Sequence, residues 1–234
     1  MLVSVVIPIY NERNTVEEII RRVRSSPIED ETDIVVVDDA STDDTNAIAE
    51  SRRGKLGDRL VIVRHRQNKG AGAAIYTGYK KALELKMELV TIMAGDHQMD
   101  PGQIPRLLDP LVDWRADYTK GNRLHSRELA KMPKYRQRGN AMLSVLTKMA
   151  SGYWDVVDPQ NGYTATTLEV LEAIEWDELW PRYGYVNEIL VRLNVLNFRV
   201  LDVVMPPRYG EEKSGIKLRS YTFQMSWLLT KLFF

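Results

Sequence analysis

Val3-Ser4-Val5-Val6-Ile7-Pro8-Ile9-Tyr10-Asn11-Glu12 stands at the start of the chain. Residues Val3–Ile9 are almost wholly β-branched and show no apolar–polar alternation. They read as a strand buried on both faces, with Pro8 marking its end. Such a strand needs helices on both sides of its sheet, and the next residues supply them. Asn14 or Thr15 caps a helix through Val23, with Glu17 and Glu18 in the first turn, where the helix dipole favours acids. Asp33–Val37 is the next strand, ending in Asp38-Asp39. Ser41-Thr42-Asp43-Asp44 is a capping cluster for a helix to about Arg52. Leu60–Val63 is a third strand, and Asn68-Lys69-Gly70-Ala71-Gly72 is a loop into a helix over 73–85. Leu89-Val90-Thr91-Ile92 is a fourth strand. It leads through Met93-Ala94-Gly95-Asp96-His97-Gln98-Met99-Asp100 into a helix that starts at Pro101 and reaches Leu108. Repeated strand–helix alternation implies an α/β fold: a Rossmann-like, mostly parallel sheet flanked by helices, with right-handed crossovers.

The second half is less regular. A strand over 116–120 ends in Gly121-Asn122-Arg123. The polar stretch from His125 to Lys134, broken by Pro133, reads as a mobile loop. A helix over 135–149 carries Arg136, Arg138 and Lys148. A loop over 154–163 holds Asp155 and Asp158. Residues 167–174 and 186–196 read as helices, and 198–204 as a strand ended by Pro206-Pro207. A basic loop over 208–217 follows. Residues 1–217 read as one domain, with no internal repeat or linker. The segment 218–234 is set apart by Phe223, Met225, Trp227, Leu228, Leu229, Leu232 and Phe233 behind Lys217 and Arg219. Basic residues beside a Trp/Leu/Phe face suit the headgroup boundary of a membrane. The other reading is a terminal helix docked on the core or on a second subunit, in a homo-oligomer. The apolar pattern is still running at Phe234, so we expect further sequence beyond it.

Composition narrows the function. The 234 residues are 44% hydrophobic, enough for a sizeable core. Lysine plus arginine number 32 and aspartate plus glutamate 32, so there is no basic excess of the kind a nucleic-acid binder carries. There is no cysteine, hence no disulfide framework and no thiolate metal site. His65, His97 and His125 lack a zinc-ligand spacing. The first residues form a strand rather than a secretory signal, and no apolar run is long enough to span a bilayer.

In an open α/β sheet, ligands bind at the carboxyl ends of the strands. Asp96 and Gln98 fall at such an end. Their hard oxygen donors suit Mg²⁺ or Mn²⁺, with waters and substrate phosphates completing the shell. His97 alternates with them and points away. Asp38 and Asp39 also end a strand, so their side chains diverge: Asp39 faces a ligand and Asp38 buttresses the loop. The turn over 10–14 has no glycine, so a dinucleotide fingerprint is absent, and the loop over 68–72 lacks the Gly-Lys-Ser/Thr of a Walker loop. That loop has two readings. Either its amides meet phosphate at a helix N-terminus, or it is a tight turn packing helix on strand. Arg123 ends a strand at the same edge, and its planar fork suits a diphosphate.

Four stretches together resemble the family-2 glycosyltransferases of GT-A fold. They are Val5-Val6-Ile7-Pro8-Ile9-Tyr10-Asn11-Glu12, Val36-Val37-Asp38-Asp39-Ala40-Ser41-Thr42-Asp43, Asn68-Lys69-Gly70 and the Asp96 turn. Gly121-Asn122-Arg123, the run from Asp158 to Tyr163, and Arg208-Tyr209-Gly210-Glu211-Glu212-Lys213 are similar to a narrower group, the polyprenyl-phosphate sugar transferases such as the dolichol-phosphate mannose synthases. The resemblance implies a hexosyltransferase at the cytoplasmic face of a membrane. It would move a hexose, with inversion, from a GDP- or UDP-hexose to a polyprenyl phosphate. A transferase acting on a glycan or other hydroxyl acceptor, with Asp158 or Glu188 as general base, is the alternative enzyme. A silent nucleotide-sugar-binding protein is the alternative class. By resemblance, Pro8, Tyr10 and Glu12 line the nucleoside pocket, Val37 and Asp39 meet the base, and Lys69 lies by the donor. Asp96 and Gln98 hold Mg²⁺ or Mn²⁺, Arg123, Arg208 and Lys213 contact phosphates, and Asp96, Arg123 and Asp158 carry the chemistry. One position departs from the pattern: Ala94 stands where the family's acidic pair has its first aspartate.

Overall fold

The computed structural model describes residues 2–28, 32–123, 134–182 and 184–206, and within 134–142 the backbone alone. Seven strands form one sheet in the order β3-β2-β1-β4-β6-β5-β7. They are β1 (Val3–Ile9), β2 (Thr32–Asp38), β3 (Leu60–Arg64), β4 (Leu89–Ile92), β5 (Tyr118–Asn122), β6 (Thr164–Thr167) and β7 (Val200–Val204). The helices are α1 (Val16–Arg24), α2 (Thr45–Leu56), α3 (Ala71–Glu84), α4 (Ile104–Val112), α5 (Lys134–Ser151), α6 (Leu168–Ala173) and α7 (Tyr185–Val195).

β1 is central and parallel to both neighbours, with Val5 opposite Ile34 on one side and Thr91 on the other. Its lack of alternation follows from two separate cores. Val3, Val5, Ile7 and Ile9 pack with Ile34 and Val36 against Ile19, Ile20 and Leu107. Val6 packs with Val35 and Val37 against Ile75, Tyr79 and Ile189 on the other face. Both faces being covered, the β1 positions are mostly apolar, with the buried Ser4 as the exception. Proline inside a central strand should break a ladder. Here Val6 accepts from Met93 on the β4 side, so Pro8, two residues on, also turns its nitrogen toward β4. β4 has already stopped at Ile92, and no bond is lost.

The second half departs from the sequence reading at one element. Thr164–Thr167 is a strand, antiparallel to both β4 and β5, between the loop expected up to 163 and the helix expected from 167. The helix over 167–174 shrinks to Leu168–Ala173. The segment that starts at Pro101 is a 3₁₀ turn, Pro101–Gln103, before α4. β5 and β7 are parallel, so the carboxyl ends of β1, β2, β3, β4, β5 and β7 all lie along one edge. Residues 125–133 of the expected loop, the loop over 208–217 and the segment 218–234 lie outside the described residues, as do the side chains of Arg136 and Arg138, while Lys134 already begins α5.

α3 approaches β1 closely because Gly78 has no side chain. A Cβ there would stand 2.2 Å from Val6 Cγ1. Gly78→Ala should therefore cost about 1–3 kcal/mol by overpacking, read as a lower midpoint in thermal denaturation. Combining it with Val6→Ala should recover part of the loss, and an unchanged midpoint for Gly78→Ala alone would contradict the packing.

Candidate functional site

The edge begins where β1 and β2 are stitched together. The Asp39 N–H donates to Ile9 O at 2.9 Å, and the Asn11 N–H to Ser41 Oγ at 3.0 Å. Thr42 N–H donates to Asn11 Oδ1 at 2.9 Å, with Asn11 and Ala40 both at positive φ. Asp38 accepts from the Ser41 N–H and pairs with Arg64 at 3.2 Å, so it buttresses the loop as expected. Tyr10 is exposed and Pro8 half-buried beside it. Glu12 accepts from the Thr15 hydroxyl at 2.8 Å, at the start of α1. The Val37 side chain is fully buried in the α3-side core, so its main chain is what could face a ligand.

Asp39 is the hub of this end. Its Oδ1 accepts from the Lys69 N–H at 2.8 Å and its Oδ2 from the Gly70 N–H at 2.8 Å. His65 Nδ1 also lies 2.7 Å from Oδ1, and its Nε2 lies 2.9 Å from Thr77 Oγ1. A carboxylate only accepts, so the proton of the first contact is on Nδ1. Of the two readings of the loop over 68–72, these bonds build the packed turn: its amides serve Asp39. Gly70 has φ +100, and a Cβ on it would meet Pro181 O at 2.8 Å, so the loop also seats the 180–182 segment. The exposed Lys69 side chain reaches out from this turn.

The middle of the edge is the Asp96 turn. The Gln98 N–H donates to Asp96 Oδ1 at 3.1 Å, and His97 takes φ +62. A Cβ on Gly95 would stand 2.8 Å from Ile9 Cγ2, so the turn lies directly on the end of β1. His97 Nδ1 faces Arg22 at 3.4 Å and Arg22 pairs with Asp100 at 2.8 Å, which keeps the ring away from Asp96 and Gln98. Asp96 is half-buried and Gln98 exposed. Among the described residues no three histidine, aspartate or glutamate side chains gather to hold an ion. One carboxylate and one amide oxygen fit a hard divalent cation that takes most of its shell from a diphosphate and water.

The far end carries the fork. Arg123 Nε donates to Asp158 Oδ2 at 2.9 Å, its Nη2 to Oδ1 at 3.3 Å, and its N–H to Oδ2 at 3.2 Å. The Asp158 side chain is 3% exposed and that of Arg123 39%. So engaged, Asp158 serves as the arginine's counter-ion. Glu188, the other candidate base, is buried and accepts from the Trp180 N–H. His65 and Lys120, which the sequence reading passed over, both belong to this edge. His65 directly follows β3, as Asp39 follows β2, and that shared position was the available signal. Arg208 and Lys213 lie outside the described residues.

The family model for "Glycosyl transferase family 2" matches residues 4–174. This chain belongs to glycosyl transferase family 2. It is 28% identical over 210 residues to a UDP-N-acetylglucosamine–dolichyl-phosphate N-acetylglucosaminyltransferase of Methanococcus voltae, covering 84% of this chain and 82% of that protein. It is 31% identical over 218 residues to an undecaprenyl-phosphate mannosyltransferase of Micrococcus luteus, covering 92% and 86%. Among solved structures, glucosyl-3-phosphoglycerate synthase of Mycobacterium tuberculosis, in complex with Mn²⁺, UDP and phosphoglyceric acid, superposes with a TM-score of 0.75 at 19% identity. The match covers 99% of this chain and 78% of that one. The GT-A fold expected of this family 2 glycosyltransferase is the fold observed.

Replacing Asp39 by Asn would set an NH₂ against groups that all donate. Asp39→Asn should lower stability by about 1–3 kcal/mol, the cost of leaving a buried donor unpaired. Chemical denaturation reads it directly, and a variant of wild-type stability would remove Asp39 as the holder of the 68–72 turn.

Proposed function

We propose that the protein transfers a hexose from a nucleotide diphosphate sugar to a polyprenyl phosphate at the cytoplasmic face of a membrane. The observation that carries this is a single edge with the Asp96 turn at its centre and the Arg123 fork beyond it. The family 2 relatives named above, matched over more than 80% of each chain, support the acceptor class. The donor's nucleoside lies at the Pro8, Tyr10, Glu12 and Asp39 end, with its diphosphate over Asp96 and Gln98. The acceptor phosphate lies by Arg123.

The reaction needs little proton transfer. A phosphomonoester has a second pKa of about 6, so at neutral pH the acceptor oxygen is already anionic. That oxygen forms a bond to the anomeric carbon while the carbon–oxygen bond to the diphosphate breaks. In-line displacement inverts the centre. The protein's task is to align the two and to balance charge. Arg123 does so from the described residues, and Lys69, Arg208 and Lys213 are assigned the same task from the sequence. Asp96 and Gln98 would hold Mg²⁺ or Mn²⁺ with the donor, which supplies charge neutralisation for the departing diphosphate. The engagement of Asp158 and Glu188 weighs against a hydroxyl acceptor, which would need a base.

For the membrane, the segment 218–234 is proposed to lie in the interface. Among the described residues no helix is long and apolar enough to cross a bilayer.

Asp96→Ala should lower kcat by about 10²–10³-fold, the size expected for losing one preorganised electrostatic group, with the variant's thermal midpoint unchanged. A variant as active as wild type would remove Asp96 from the mechanism. UDP-, GDP- and dTDP-sugars, screened by thermal shift with Mn²⁺, should give one stabilising base class, and transfer should then proceed to farnesyl phosphate but not to a free sugar.

A further inference from the structure

Lys120 is a lysine with no exposure at all, at the centre of β5. Burying an ammonium is costly unless it is paired and hydrogen-bonded. Its surroundings meet that condition in a specific way. Nζ donates to the main-chain Asn161 O. Asp202 on β7 stands opposite Lys120 in the ladder register. Asp202 Oδ2 accepts from the Val157 N–H at 2.7 Å and from Asn122 Nδ2 at 2.9 Å, while among the described residues no hydrogen bond reaches its buried Oδ1. Asp158, the counter-ion of Arg123, acts electrostatically on Lys120 along with Asp202 and Arg123.

These contacts share one target, the irregular loop over 157–161 that carries Asp158. Asn161 Nδ2 donates to Gly121 O at 2.7 Å, and a Cβ on Gly121 would meet Asn161 Nδ2 at 2.8 Å and Met205 Sδ at 2.6 Å. The loop is thus pressed onto β5 and held by Lys120 at one end and Asp202 at the other. Asp158 leaves this loop to grip Arg123. The two cations, Lys120 and Arg123, formally balance the two anions, Asp158 and Asp202. Without Lys120, the fork would face an anionic phosphate with its own charge cancelled by Asp158 and with Asp202 uncompensated behind it.

We propose that Lys120 is a positioning residue for glycosyl transfer: it holds the 157–161 loop and offsets Asp158, so that Arg123 presents usable positive charge to an acceptor phosphate. This rests on the reading that Arg123 meets the acceptor. Burial pulls the Lys120 pKa down to about 7, against the upward pull of Asp158 and Asp202, and burial raises that of Asp202. The ammonium is therefore lost as pH rises through about 7, a range in which a phosphomonoester, with its second pKa of about 6, is already largely dianionic.

The test uses the full chain, the donor selected by the screen, and farnesyl phosphate as acceptor. Lys120→Met should raise the acceptor KM about tenfold or more, the worth of one charge-assisted contact, and leave the donor KM within about twofold. In the wild type, acceptor kcat/KM should fall between pH 7 and 9, and in Lys120→Met that fall should be absent. Asp202→Asn removes a carboxylate that supports the ammonium, so the fall should move to lower pH; this variant decides the matter where Lys120→Met does not fold. Wild-type acceptor KM and pH slope in Lys120→Met, or an unmoved profile in Asp202→Asn, would overturn the proposal. Arg123→Ala separates the two layers: unchanged acceptor KM there defeats the placement of the acceptor, whereas a large rise there with a silent Lys120→Met defeats the role of Lys120 alone.

Discussion

A sheet with helices on both faces leaves no face for chemistry. In this protein Val5 and Ile7 are sealed on one side and Val6 and Val35 on the other, each without exposure. Polar side chains can reach solvent only where strands stop. That constraint sets the form of the site: a line of loops along one edge, with the stitching between Asn11, Ser41 and Asp39 joining β1 to β2 and the Gly95 contact pressing the Asp96 turn onto β1. A loop that leans on its neighbour's backbone this closely has few alternative positions, and preorganisation follows from packing as much as from hydrogen bonds.

The two ends of the edge solve the problem of buried charge differently. At the β2 end Asp39 is satisfied by main-chain N–H groups and by His65, while its neighbour Asp38 pairs with Arg64. Donors fixed in a backbone hold a carboxylate without a charge partner, and the result is a rigid turn. At the Arg123 end, charges meet charges: Arg123 pairs with Asp158, and the buried Lys120 feels both Asp158 and Asp202. Ionic matching is sensitive to pH and to incoming anions in a way that main-chain donors are not. In the proposed reading, rigidity lies where a base would be recognised by shape, and responsiveness where charge would arrive and depart.

The sequence reading reached the first half nearly whole, because unbroken β-branched runs and capping clusters report directly on strands buried on both faces and on helix starts. It missed β6 for a physical reason. Thr164-Ala165-Thr166-Thr167 has only one apolar residue, yet it lies between β4 and β5, and the Thr164 hydroxyl is bonded to the buried phenols of Tyr79 and Tyr118. A polar strand whose first hydroxyl is met by distant tyrosines has no local signature. Lys120 escaped for the same reason: its partners are at positions 158, 161 and 202. For Val37, resemblance assigns a position to a pocket without saying whether side chain or main chain faces it, and the side chain lies in the core.

Ala94 also takes on meaning from packing. It is half-buried, and its N–H meets Met99 Sδ at 3.1 Å, so the turn closes on itself through a soft apolar contact where the family pattern has a carboxylate. One acid fewer at the centre weakens the pull on a cation and also lowers the repulsion felt by a diphosphate. In the proposed reading the acceptor phosphate meets Arg123, whose counter-ion Asp158 is itself offset by Lys120. The rest of the positive charge that two anionic substrates would need would come with the donor's cation or from Arg208 and Lys213, which follow Pro206 in the sequence.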